Sequence, residues 1–183
     1  MYKRQLLERA TPLIAEMQRE TSERVELSLF NDLYIIFALR RQTKRQTFSS
    51  TLAGRDLPMV QTAGGRAIMS HLPEDEVEDI LARSADMPRA TIPTTPKTNN
   101  DPDRIRALVQ QARHDGYATA IEESLLGELN LATAILDHRH RPVAAIQIAG
   151  LVSEWASPEE FARRYSPLLM TAARALSGKV GMS

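Results

Sequence analysis

The stretch that decides the fold is QTAGGRAIMSHLPEDEVEDIL, residues 61–81, in which two adjacent glycines stand where a helix is about to begin. A glycine inside a helix costs roughly 0.5–1 kcal/mol relative to alanine, so Gly64 and Gly65 need a physical reason. Thr62 can cap the helix, and the glycines leave its first N–H groups open to an anion such as a carboxylate. Alternatively, Gly65 lets the helix pack closely on a sheet without any ligand. The sequence alone leaves both interpretations open.

The region before this stretch predicts a helix followed by strands. Apolar residues recur at helical spacing over the first twenty residues, but Thr11-Pro12 predicts a break, with residues 1–10 as a separate lead-in. RVELSLFN (24–31) and LYIIFALR (33–40) alternate with period two around Asn31-Asp32, which predicts a β-hairpin. QTFSSTLA (46–53) is a plausible third strand.

The region after the stretch repeats this organisation. Pro73 and its acidic neighbours predict a helix start, and Asp101-Pro102 opens another helix that Gly116 ends. Strands are predicted at 117–124, 129–136 and 143–150, with a hairpin turn between the last two. A closing helix begins at Ser157, and Pro167 should bend or split it. The dominance of hairpins predicts an α+β fold, an antiparallel sheet flanked by helices.

The composition excludes several classes of protein. The 183 residues carry 23 basic and 23 acidic side chains, which argues against a chain that binds nucleic acid by itself. The absence of cysteine excludes disulfides and Cys-ligated zinc. Neither a signal peptide nor an apolar run of the roughly 18–20 residues needed to cross a membrane is present, so we expect a soluble, cytoplasmic protein.

No set of residues in the sequence assembles an enzyme. The sequence contains no P-loop, no GxGxxG and no GxSxG pattern. Glu122 and Glu123 are adjacent in a predicted strand, so they point to opposite faces and cannot act as a carboxylate pair. His138-x-His140 after Asp137 suggests a metal, but no third ligand has useful spacing. We predict no catalytic residue, no metal and no cofactor, and a metal-dependent hydrolase using these three residues is the enzymatic alternative.

Two predicted strands combine small side chains with one amide on the same face. Asn130 lies with Ala132 and Ala134, and Gln147 lies with Ala145 and Ala149. Small side chains leave volume and a buried amide needs a partner, which together favour a partly polar cavity large enough for a metabolite. A solvated sheet face explains the same residues equally well, and Ser50 on the third predicted strand is equally ambiguous.

Two long motifs resemble the IclR-type transcriptional regulators. MVQTAGGRAIMSHLPEDEVEDIL resembles the segment of that family that reads T-A-x-G-[KR]-A-x-L followed by an acidic helix. GYATAIEESLLGELNLATAILDHRHRPVAAIQIAG (116–150) resembles the family's second signature, and the matching positions are Gly116-Tyr117, Glu122-Glu123, Gly127, Ala132, Asp137 and Ala144-Ala145 through Gly150. The order and spacing of both motifs agree with the family over residues 11–180.

The resemblance implies a GAF-like or profilin-like effector-binding domain over residues 11–183. It also implies a preceding winged helix-turn-helix, and residues 1–10 then look like the end of the interdomain linker helix. The implied effector site consists of Thr62, Ala63, Gly64, Leu129, Asn130, Gln147 and Ala149, to which we add Ser50. The family's usual proline and last-strand serines are replaced here by Ala134, Gln147 and Ala149, which leaves the effector's identity open.

The implied function is effector sensing and oligomerisation in a transcriptional regulator. We expect a small metabolite, often a carboxylic acid in this family, a dimer or tetramer, and DNA contact only through a winged helix-turn-helix missing from this chain. No such pattern precedes residue 1, so we expect the chain to be part of a longer regulator. The alternative is a stand-alone GAF-like sensor or interaction module. The basic cluster Arg40 to Arg45 is either a solvated turn or a contact to DNA or an acidic partner.

Overall fold

The computed structural model describes residues 2–43, 56–87 and 94–178, and these form helices and strands in alternating groups. The helices are α1 (Tyr2–Thr21), α2 (Ala63–Met69), α3 (Glu74–Ala85), α4 (Pro102–Asp115) and α5 (Pro158–Leu176). The strands are β1 (Arg24–Asn31), β2 (Tyr34–Arg41), β3 (Asp56–Pro58), β4 (Ala118–Ile121), β5 (Glu128–Leu136) and β6 (Pro142–Leu151). The predicted third strand at 46–53, including Ser50, lies outside the described residues.

The six strands form one antiparallel sheet with the order β3-β2-β1-β6-β5-β4. Hairpins join β1 to β2 and β5 to β6, because Asn31-Asp32 and the segment 137–141 supply the turns that the sequence predicts. Strand β1 pairs with β6, which brings the first and last hairpins together at the centre of the sheet. The predicted α+β architecture, an antiparallel sheet flanked by helices, is confirmed.

Helices cover both faces of the sheet. On one face, α1 and α5 pack against alternate residues of β1, β5 and β6, such as Leu27, Leu131 and Ile146, which are fully buried. On the other face, α2, α3 and α4 form a second apolar core with β2. Because both faces are covered, even the polar residues of the central strands are buried.

Helix α1 continues through Pro12, so the predicted break at Thr11-Pro12 is wrong. Leu6 and Ala10 are fully buried beside Ile14 in the core between α1, α5 and the sheet. Proline removes one backbone hydrogen bond, but burial of a complete apolar stripe stabilises the helix on both sides of it. Leu6 and Ala10 therefore belong to the same apolar core as the rest of α1.

Helix α5 likewise continues through Pro167 and is not split. The predicted helix ends are confirmed where the signal is local: the side chain of Ser157 accepts the Glu160 N–H, and Asp101 accepts the N–H of Asp103. Gly116 ends α4 with φ of 81°, the left-handed conformation that glycine adopts readily.

Candidate functional site

The two glycines of α2 are explained first by close packing. A Cβ on Gly65 would lie 2.2 Å from the carbonyl oxygen of Met59, in the 3₁₀ turn Met59–Gln61 that precedes the helix. A Cβ on Gly64 would lie 3.2 Å from Ser28 Oγ on β1 and 3.5 Å from the Ala145 Cβ on β6. Gly64 thus faces the sheet. Gly65 faces the preceding turn, whereas the packing hypothesis placed it against the sheet, so that detail of the hypothesis is wrong.

Thr62 caps α2 as predicted. Its hydroxyl oxygen accepts the Gly65 N–H at 3.1 Å and lies 3.2 Å from the carbonyl oxygen of Pro58, to which it can donate. Both Thr62 and Ala63 are buried, at 6% and 1% exposure. The first turn of α2 is therefore held in a fixed position above the sheet.

A buried ion pair fixes the same helix from its other side. Arg66 is fully buried, and its guanidinium binds Glu123 through two parallel hydrogen bonds of 2.7 and 2.5 Å. The guanidinium also donates to the carbonyl oxygens of Val60 and Thr119. Glu123 in turn accepts the Asn99 N–H at 3.2 Å. The pair therefore joins α2, the end of β4 and the segment 94–100.

The prediction that Glu122 and Glu123 lie in a strand is wrong, although they do have separate roles. Strand β4 ends at Ile121, and Glu122 has a positive φ of 56° at the start of the following turn. Its carboxylate pairs with Lys97 and accepts the Gly127 N–H, while Glu123 pairs with Arg66. Neither carboxylate is part of a catalytic pair.

A cluster of charged and amide side chains occupies the sheet face beneath α2. Glu26 is the centre of the cluster: its Oε1 lies 3.2 Å from Arg24 Nε and also pairs with Arg40, while its Oε2 accepts the Gln147 amide at 2.5 Å. We call this set, completed by Asn130 and Glu128, the polar cluster. Asn130 donates to Glu128 at 3.0 Å, and Glu128 pairs with Arg24.

The polar cluster stabilises the charged form of its arginine. Burial by itself lowers the pKa of Arg24, but the attraction of Glu26 and Glu128, together with their hydrogen bonds, outweighs burial and raises the pKa. The guanidinium of Arg40 also lies 5.9 Å from the centre of the Phe37 ring, within cation–π range. The sheet face therefore presents paired charges in a region shielded from water.

Four of the predicted effector residues line one small cavity between α2 and the polar cluster. Thr62, Ala63, Asn130 and Gln147 lie around a space of about 20 Å³, together with the following residues: Arg24, Glu26, Phe37, Leu57, Ala120 and Ser124. This volume has room for about one water molecule. The prediction of a metabolite-sized cavity is therefore wrong for this closed arrangement, because the long side chains of the polar cluster fill the space that small residues leave.

The other predicted residues are distributed around this cavity. Gly64 packs next to it against Ser28, and Ala149 lies on the same sheet face, paired across the strands with Asn130 and Arg24. The side chain of Leu129 belongs to the core on the opposite face of the sheet, so it does not reach the cavity. Gln147 is 4% exposed, which excludes the alternative of a solvated sheet face for this residue.

Arg24, Glu26 and Arg40 are not among the effector residues predicted from the sequence. The signal that could have found them is the alternation of β1, which places Glu26 and Ser28 on the face that also carries Gln147 once β1 pairs with β6. Ser28 is fully buried, and its hydroxyl has no hydrogen-bond partner among the described residues. The face is thus more polar than the two amides alone indicated.

The histidine pair lies away from this cavity. Asp137, His138 and His140 form the β5–β6 turn and border a separate surface groove of about 750 Å³ near the end of α5. The Asp137 carboxylate is occupied by the backbone N–H groups of Arg139 and Arg141. Within residues 2–43, 56–87 and 94–178, no three His, Asp or Glu side chains form a group that could hold a metal.

An antiparallel sheet between two layers of helices, with a buried polar cluster beneath a short glycine-containing helix, defines a GAF-like α+β domain. Residues 1–178 match the family described as "Bacterial transcriptional regulator IclR C-terminal", and the chain belongs to this family. The resemblance seen in the two motifs is therefore confirmed.

Individual relatives agree with this assignment. The chain is 29% identical over 153 residues to the transcriptional repressor IclR of Escherichia coli strain K12, covering 82% of this chain and 54% of that protein. The Thermotoga maritima IclR structure gives a TM-score of 0.86 at 25% identity, over 96% of this chain and 68% of that one. An IclR homolog from Microbacterium hydrocarbonoxydans complexed with 4-hydroxybenzoate has the same fold, with a TM-score of 0.79 at 19% identity over 98% and 69% of the two chains.

The relatives also bear on the class of activity. They are named as transcriptional regulators and repressors, so the prediction that the chain is not an enzyme is confirmed. The chain spans about half the length of the first curated relatives that it matches. No helix in the described part of the chain is both long enough and apolar enough to cross a membrane.

Proposed function

We propose that this chain is the effector-sensing and oligomerising domain of an IclR-type transcriptional regulator. A small metabolite that carries a carboxylate binds between α2 and the polar cluster and changes DNA binding by an attached winged helix-turn-helix. The observation that carries the proposal is the convergence of the motif residues around one point between α2 and the sheet. Residues from α2, β5 and β6 that the family motifs assign to the effector line the small cavity at this point, and Gln147 is buried there.

The chemistry of the cavity supports a carboxylate as part of the effector. Arg24 lines the cavity, and a guanidinium binds a carboxylate with two parallel hydrogen bonds. The amides of Asn130 and Gln147 offer further donors and acceptors. In the Microbacterium hydrocarbonoxydans homolog the bound molecule, 4-hydroxybenzoate, is itself a carboxylate.

The small size of the cavity supports a mechanism of population shift. A space of about 20 Å³ cannot hold a metabolite, so the effector binds an expanded arrangement. A ligand with higher affinity for the expanded arrangement shifts the equilibrium toward it. In the proposed regulator this shift alters the relative positions of the attached DNA-binding domains, which act in the cytoplasm.

We further propose that the domain forms a dimer or a tetramer. Palindromic operators match proteins with two-fold symmetry, and the domain is the part of the regulator that would supply this symmetry. The balanced charge of the chain is consistent with a DNA-contacting surface on another domain.

Native mass spectrometry of freshly purified protein tests binding and oligomeric state together. We expect a co-purified small acid and a subunit count of two or four. A thermal-shift screen of carboxylates provides the second measurement: a ligand at 100 times its Kd adds about 2.7 kcal/mol, or roughly 5–10 °C in Tm for a chain of this size. Gln147→Ala should reduce the shift, whereas Gln110→Ala, an exposed glutamine on α4, should not.

The two parts of the proposal fail separately. If a broad carboxylate library gives no shift and no small molecule co-purifies, effector binding by this domain is refuted. If an effector binds but leaves the affinity of the full-length regulator for its own promoter DNA unchanged, the domain is a stand-alone sensor without a role at DNA.

A further inference from the structure

The polar cluster has a charge balance that restricts what the cavity can accept. The side chains of Arg24 and Arg40 are 6% and 10% exposed, and those of Glu26 and Glu128 are 1% and 11% exposed. Two buried positive charges thus face two buried negative charges. Within the described residues of the cluster the net charge is zero before any ligand binds.

A simple carboxylate is poorly matched to this neutral cluster. Its negative charge would enter a buried region beside Glu26, with both arginines already paired to glutamates. A buried charge without a compensating partner is strongly unfavourable. A ligand that carries a positive group together with its carboxylate brings its own compensation and leaves the site neutral.

Glu26 has the position and the capacity to receive such a positive group. It lines the cavity and is fully buried. A carboxylate offers about four lone-pair positions; Oε1 faces two arginines, while Oε2 accepts the Gln147 amide and retains a second position. An ammonium group placed there would make a charge-assisted hydrogen bond.

We propose that the effector is a zwitterion of the amino-acid type, whose carboxylate pairs with Arg24 and whose ammonium group pairs with Glu26. This inference rests on the proposed function, because it concerns the same cavity. Glu26 is the residue that distinguishes an amino acid from the corresponding acid without the amine.

Isothermal titration of the wild-type chain with matched ligands tests the proposal directly. The probes are the standard amino acids, each compared with its deaminated carboxylate and its hydroxy acid, such as alanine with propionate and lactate. We expect at least one amino acid to bind about tenfold or more tightly than both partners in its set, the factor that one close charge pair supplies.

The possible results separate this inference from the proposed function. If carboxylates bind and the amine never improves affinity, the zwitterion is refuted while effector binding stands. If hydroxy acids bind as well as amino acids, a neutral donor suffices and the charge argument is refuted. If none of the three sets binds, both proposals are refuted for these classes of ligand.

Substitution of Glu26 provides an independent readout. Glu26→Gln leaves the cluster with a net positive charge. The ratio of the affinity for the amino acid to the affinity for the deaminated acid should therefore fall about tenfold. Glu20→Gln makes the same change on the exposed end of α1 and should leave the preference unaltered.

A charge-balanced variant is the control for misfolding caused by an uncompensated buried charge. Glu26→Gln combined with Arg40→Gln removes one charge of each sign, so the cluster stays neutral, and the preference for the amine should be lost. Unchanged preference in both Glu26 variants would show that Glu26 is only structural and would overturn the proposal.

Discussion

Replacement of Gly65 by alanine should destabilise the domain much more than the same replacement at the adjacent Gly64. The new Cβ at position 65 would lie 2.2 Å from the Met59 carbonyl oxygen and 2.3 Å from the Met59 Cα. Real Cβ contacts are essentially never below 3.0 Å, so the 3₁₀ turn must move by about 0.8 Å. The obstructing atoms are backbone, which cannot rotate away as the end of a side chain can.

The magnitude follows from two opposing effects. Alanine gains roughly 1 kcal/mol over glycine in a helix, at either position. Overpacking against a backbone costs about 3 kcal/mol, the upper end of the usual range. Gly65→Ala should therefore cost about 2 kcal/mol net, whereas Gly64→Ala should change stability by less than about 1 kcal/mol, because its nearest contacts are side-chain atoms at 3.2–3.5 Å.

Urea unfolding followed by circular dichroism measures both variants against the wild type. The loss at Gly65 corresponds to a decrease in Tm of about 4–8 °C for a chain of this size. Equal stability of the two variants, within about 0.5 kcal/mol, would refute the explanation that Gly65 is required by the close approach of the preceding turn.

Two further predictions concern charges outside the polar cluster. Glu123→Gln should lower the free energy of unfolding in urea by about 3–5 kcal/mol, because it leaves the buried Arg66 guanidinium without its counter-ion. Arg66→Met combined with Glu123→Leu should recover at least half of that loss. A loss below about 1 kcal/mol for Glu123→Gln would contradict the prediction. At the β5–β6 turn, burial raises the pKa of Asp137, but the N–H groups of Arg141 and Arg139 outweigh it and hold the pKa below 3.8. Its contribution is therefore present above about pH 4 and lost as the pH falls through the depressed value. The Tm advantage of the wild type over Asp137→Asn should be present at pH 6 and decrease steadily as the pH falls below about 4. An advantage that stays constant as the pH is lowered would contradict the assignment.

The sequence predicted well those features that depend on a few neighbouring residues. The caps at Thr62, Asp101 and Ser157 and the hairpins need only local turn and capping chemistry, which the sequence shows directly. The break predicted at Pro12 and the split considered at Pro167 were wrong because burial of α1 and α5 against the sheet outweighs one missing hydrogen bond. That burial depends on tertiary packing, which periodicity alone does not show.

The residues of the candidate site show the same distinction between local signals and tertiary packing. Asn130 and Gln147 could be predicted because small neighbours and the family motifs mark their strand faces. Arg24 and Glu26 could not, because alternation assigns charged residues to the solvent side of a strand, and only the layer formed by α2, α3 and α4 shields that side from water. The Arg66–Glu123 pair was equally invisible, since it joins residues that are 57 positions apart.

The same contacts decide which wall of the cavity can yield to a ligand. On the α2 side, the helix is held by the close contact of Gly65 with Met59 and by the four hydrogen bonds of Arg66, so tilting it would break several buried interactions at once. On the sheet side, the cavity is lined by Arg24 and Glu26, which also have buried partners, but their long side chains can exchange those partners by changing rotamer without moving the backbone. Expansion by an effector should therefore begin in the polar cluster. Strand β1, which carries both residues, has α1 packed on its opposite face, so a rearrangement in the cluster lies one strand away from the first helix of the chain.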